Sequence, residues 1–188
     1  LDRQLTDIDL AGYSEEQDSV ENLMKDFGFE AMRGLTLSLV SGRSIFTRSD
    51  KSVKTDVFYD KLEMCHTIDL RERLKVDYPT ISLSDMLLEK LQIVKINEKD
   101  LRDCINLLRV HEVGSGDQEC VNVDYIAKLM SSDWGFNHTL EINLRKINDF
   151  AGAIPELTTE DREDIETKTA RLKDKIVIVV DDGLASGF

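Results

Sequence analysis

The chain has 188 residues, with 24 Lys and Arg against 37 Asp and Glu and a net charge of −13. That length allows one domain, or a small domain with a helical appendage, and a real buried core. The acidic balance excludes a surface that binds nucleic acid indiscriminately, because phosphate contacts need clustered Lys and Arg. No apolar run approaches the roughly 20 residues that span a bilayer, so no membrane partner is expected and the cytoplasm is the expected location.

The first element is strand-like, Thr6-Asp7-Ile8-Asp9-Leu10. Alternation along a strand points Asp7 and Asp9 to one face and predicts that Ile8 and Leu10 turn into the core. Gly12-Tyr13-Ser14 makes a turn, and Ser14 can cap a helix whose Val20, Leu23, Met24 and Phe27 recur at helical spacing until Gly28 stops it. Leu35 to Val40 is ambiguous between strand and helix. Ser44 to Arg48 and Val53 to Tyr59 then predict an antiparallel hairpin, with Asp56 on its second arm.

If that arm lies beside the first strand, Asp56 joins Asp7 and Asp9. Three like charges on one sheet face are costly unless neutralised, and hard oxygen ligands suit Mg2+ or Mn2+. The competing reading is a solvated strand edge, since Asp-X-Asp is common in acidic chains. Arg43, Arg48, Arg71, Arg73 and Lys75 are candidates for a local basic groove, although scattered basic side chains more often form a solvated face.

From Ser84 onward the period changes to about 3.6, with Leu87, Leu88, Leu91 and Val94 as an apolar stripe. Ser84 and Asn97 are expected caps, and further helices are predicted over 124–131, 139–150 and 159–173. His66 is expected to pack or hydrogen-bond locally, and Trp134 to fill the core. Cys65, Cys104 and Cys120 lack the paired spacing of zinc or redox sites and read as reduced and structural.

The Asp-Ile-Asp-Leu strand, the acidic helix, the Asp-Val-Phe-Tyr-Asp strand and the run Asp85-Met86-Leu87-Leu88-Glu89-Lys90-Leu91-Gln92 resemble the polymerase-beta-like nucleotidyltransferase superfamily. The closest likeness is to its AbiEii-like branch, associated with toxin–antitoxin systems, and it covers roughly residues 5–150. The resemblance implies an α+β fold: a mixed sheet with a crossover helix over 1–80, then a helical bundle over 81–173. It implies that Asp7, Asp9 and Asp56 hold two divalent cations that activate an acceptor hydroxyl and stabilise the phosphates of a nucleoside triphosphate. It further implies that Lys90 and Asp85 face the nucleotide, with Asp100 and Asp103 as weaker matches. The acceptor is unassigned, RNA or protein being candidates.

The superfamily places a Gly-Ser turn, which cradles the triphosphate, roughly ten residues before the aspartate pair. That turn would precede Leu1, and both ends of the chain read as cut, so a non-catalytic remnant of the fold is an alternative. The last stretch, 174–188, reads differently. Its β-branched run from Ile176 to Val180 predicts a buried strand leading into Asp181-Asp182-Gly183-Leu184-Ala185-Ser186-Gly187. This resembles the phosphoribosyl-diphosphate motif of type I phosphoribosyltransferases. The likeness implies that Asp181 and Asp182 bind ribose hydroxyls and that the loop from Gly183 to Gly187 binds a phosphate.

Overall fold

The structure is a computed structural model that describes residues 7–32 and 42–185. The ambiguous stretch from Leu35 to Val40, together with Ser186 and Gly187, lies outside the described residues. The chain has an α+β fold divided into two compact units, the first containing most residues up to Glu63 together with Thr67–Lys75. The second contains Met64–His66 and the chain from Val76 onward.

The first unit is built on a four-stranded mixed sheet of order β1-β4-β3-β2. Its strands are β1 (Asp7–Gly12), β2 (Phe29–Ala31), β3 (Arg43–Arg48) and β4 (Lys54–Tyr59), and α1 (Gln17–Asp26) crosses from β1 toward β2. β1 pairs with β4 in parallel, whereas β3 is antiparallel to both β4 and β2. The expected hairpin is therefore present as β3–β4, with Lys51 at positive φ in its turn. Gly28, at φ 78°, ends the α1 region in the left-handed conformation that a glycine adopts without a Cβ clash.

The core of this unit forms where α1 covers one sheet face: Met24, Phe46, Val57 and Tyr59 are buried, with Val20, Phe29 and Ala31 packed against them. Ile8 and Leu10 share that face but stay 50% and 43% exposed, against expectation. Among the described residues β1 is an edge strand, paired with β4 on one side. Beyond β4, a short hairpin of β5 (Lys61–Glu63) and β6 (Thr67–Asp69) buries Leu62 and Ile68.

The second unit is helical: α2 (Leu83–Leu91), α3 (Glu98–Val110), α4 (Val123–Ser132), α5 (Trp134–Ala153) and α6 (Thr159–Ala185). A two-stranded parallel ribbon, β7 (Glu112–Gly114) with β8 (Cys120–Asn122), lies between α3 and α4. Three of the four residues of the apolar stripe read from the sequence are core here, Leu87, Leu88 and Leu91 being buried beside Ile105, Leu108, Ile126, Leu140 and Leu144, whereas Val94 is 54% exposed. Asn97 caps α3 as expected, accepting from Lys99 and Asp100. α2 is capped by Ser82 rather than Ser84.

Two further expectations fail in this unit. Trp134 is 79% exposed and stacks on His138 at 5.5 Å, because α5 begins at Trp134 and its buried stripe runs through Phe136, Leu140, Leu144 and Ile147 instead. The predicted terminal strand is helix: α6 continues through the β-branched run and through Asp181, Asp182, Gly183, Leu184 and Ala185. Ile165, Thr169, Leu172 and Ile176 are buried at helical spacing, and burying that stripe outweighs the strand preference of valine and isoleucine. Among the described residues, the stretch from Ile176 to Ala185 is thus helix, not the buried strand and loop that the phosphoribosyltransferase likeness implies.

Candidate functional site

The parallel register of β1 on β4 sets Asp9 beside Asp56 and Asp7 beside Lys54. Residues in register share a face, and alternate residues of a strand share it too. Asp7, Asp9, Lys54 and Asp56 thus lie on the sheet face opposite the α1 core, and Arg43, in register with Phe58, joins them there. The topology brings together the three aspartates picked from the sequence, and adds two cations that sequence spacing did not assign to them.

Their environments differ. Asp7 and Asp9 are on the exposed edge strand. Asp56 is 3% exposed, and its Oδ2 receives both Arg43 Nη2 at 2.6 Å and Lys54 Nζ at 3.0 Å. A carboxylate cannot be buried without such neutralisation. Arg43 also lies over the Phe58 ring, 4.9 Å from its centroid. Among the described residues, two buried atoms of the pair, Arg43 Nε and Asp56 Oδ1, have no hydrogen-bond partner.

Among the described residues no group of three or more His, Cys, Asp or Glu side chains is arranged to hold a metal. The donor set nonetheless fits Mg2+ or Mn2+ in one respect. Mg2+ commonly takes one or two protein carboxylates and completes its shell with water and substrate phosphates. Asp7 and Asp9 supply such a pair, whereas the two cations on Asp56 make it a poor third ligand.

The other candidates have partners of their own in the helical unit. Asp85, 1% exposed, accepts from Ser82 Oγ at 2.6 Å and from Tyr125 OH at 2.9 Å, while its own N–H donates to Ser82 Oγ at 3.3 Å. This reciprocal cap fixes the start of α2. Lys90 is half-buried beside Glu89 at 3.2 Å. Burial opposes its charge, yet Glu89, Asp100 and Asp103 together hold its pKa above the usual lysine value. Burial also pushes the Cys104 thiol up, leaving it protonated.

His66 behaves as expected. Its ring stacks on Phe136 at 4.8 Å, its Nε2 lies 2.9 Å from Thr139 Oγ1, and its backbone N–H donates to Gln92 Oε1. The candidate groove cations have separate partners: Arg71 pairs with Asp69, Arg48 lies 3.8 Å from Asp50, and Lys75 sits over the Tyr13 ring. A shallow hollow along α6, lined by Glu166, Arg171, Asp174 and Lys175 among others, carries none of the sheet's carboxylates.

No helix among the described residues is long and apolar enough to cross a membrane. Comparison with protein-family models, with curated proteins and with solved structures finds no match to this chain.

Proposed function

We propose that the charged face of the sheet unit is a metal-dependent nucleotidyl-transfer site, taking a nucleoside triphosphate as donor and a hydroxyl group, such as that of RNA, as acceptor. One observation carries the reading: the parallel register that makes Asp9 and Asp56 neighbours while Asp7 shares their face. Chance Asp-X-Asp pairs have no reason to meet a third carboxylate across a sheet.

Asp7 and Asp9 would hold the divalent cation, which supplies charge stabilisation at the transferring phosphoryl group. Lys54 and Arg43 balance the carboxylate charge at Asp56 and leave the face less acidic than its three aspartates imply. Arg43, half-exposed at the rim, is placed to meet an anionic substrate, for which a planar guanidinium is well suited. The strongly acidic remainder of the chain favours a small nucleotide or one local contact over extended nucleic-acid binding.

The test is Mn2+ with ATP, followed through paramagnetic broadening of backbone amide signals. Broadening centred on β1 and β4 that disappears in the Asp7→Asn/Asp9→Asn double variant supports the reading. Broadening unchanged by those substitutions, or confined to other acidic surfaces, removes it.

A further inference from the structure

α6 packs on α3, α4 and α5, and its Ile165, Lys168, Thr169, Leu172 and Ile176 are buried. The opposite side of the same helix is exposed at Glu163, Glu166, Thr167, Ala170, Arg171 and Asp174. Val177 and Ile178, 57% and 55% exposed, prolong it toward the C-terminus, and the half-exposed Lys175 flanks it. These positions share one side of a 3.6-residue helix, so they form a stripe about 22 Å long from Glu163 to Ile178.

The charges along this stripe are ordered. Glu163 and Glu166 lie in its first half, Arg171 and Lys175 in its second, and the small Ala170 stands between them. Such a helix complements a second copy of itself when the two run antiparallel, whereas a parallel copy sets acid against acid. One register satisfies the whole stripe. With a two-fold axis between Ala170 and Arg171, Glu166 meets Lys175, Thr167 can donate to Asp174, and the stem of Arg171 crosses Ala170. Ile178 then lies against the methylenes of Glu163, whose carboxylate stays in water. Registers that set Asp174 opposite Glu163 or Glu166 place like charges together and are disfavoured.

We propose that the exposed face of α6 binds the same face of a second copy of this chain, the two helices antiparallel about a two-fold axis, with Glu166 of each copy paired to Lys175 of the other. Symmetry makes every such contact twice. The dimer covers Val177 and Ile178 in part and leaves the charged face of the sheet out of the interface, so it stands independently of the nucleotidyl-transfer reading.

The test is sedimentation equilibrium of the full chain over a range of concentrations, with helix content of each variant checked by circular dichroism. The unaltered chain should pass from one copy to two as its concentration rises. Glu166→Lys sets lysine against Lys175 at two places and should weaken the dimer about tenfold or more, and Lys175→Glu, which sets acid against Glu166, should do the same. An equimolar mixture of the two variants should recover the dimer, because both unlike pairs are restored across the interface. That recovery distinguishes the interface from the ion pair that Lys175 makes with Asp124 of its own chain at 2.7 Å, which mixing does not restore. A chain that stays monomeric throughout overturns the proposal, as does a dimer indifferent to Glu166→Lys or a mixture that fails to associate. Should Lys175→Glu fail to fold, Glu166→Lys and Ala170→Tyr, both at exposed positions, still decide: each should dissociate the dimer, and a dimer that withstands them forms through another surface.

Discussion

Lys168 donates from Nζ to the main-chain carbonyl of Leu108 at 2.9 Å, so a buried ammonium on α6 closes the end of α3. Asp164 at 2.7 Å supplies the counter-charge, and the negative end of the α3 dipole adds to it. Lys168→Met should destabilise the chain by about 1–3 kcal/mol, because it leaves a buried carbonyl unmet. Chemical denaturation monitored by helix content measures this, and a loss below about 0.5 kcal/mol would contradict the assignment.

Asp85 should act as a structural hub of α2. Ser82→Ala is expected to cost about 1 kcal/mol through loss of the cap, and Tyr125→Phe about 1 kcal/mol through its hydrogen bond. Asp85→Ala should exceed either, and combining it with Tyr125→Phe should add little, since both remove one interaction. Additive losses in that double variant would show that Tyr125 and Asp85 do not act together.

Asp161 sets an acid limit. The Thr158 backbone N–H, then Arg109 and the Thr158 hydroxyl, hold its pKa at about 2, below the ordinary 3.8. Because the folded value is depressed, its contribution to stability is complete above the unfolded value and disappears as pH falls through about 2. Asp161→Asn should flatten the fall in stability across that window. A carboxyl titration by NMR with a midpoint at the ordinary aspartate value would refute this.

The helical state of the β-branched run can be tested at Val177, which is 57% exposed. Val177→Ala should stabilise the chain by about 0.5 kcal/mol, since alanine is the better helix former. In a strand the same change would destabilise. The direction of the shift in the unfolding midpoint distinguishes the two.

Much of the architecture was legible because it depends on local spacing. The apolar stripe over Leu87, Leu88 and Leu91, the Asn97 cap and the β3–β4 hairpin follow from periodicity and turn chemistry. Trp134 and the Ile176–Val180 run depart from what their residue types predict for one reason: partner helices decide which face is buried. The site shows the same division. Asp7, Asp9 and Asp56 stand out in the sequence, yet nothing in local spacing ties Arg43 and Lys54 to the oxygen of Asp56.

The sequence by itself determined that Asp7 and Asp9 share a face and that Asp56 sits on a hairpin arm, because strand alternation is a local property of the backbone. Only the tertiary structure decided that Asp9 neighbours Asp56, that β1 is an edge, and that Asp56 is buried between two cations. Register and burial arise from contacts between segments far apart in the chain. They turned a pattern of three acids into a face with two exposed carboxylates and one buried carboxylate held between two cations.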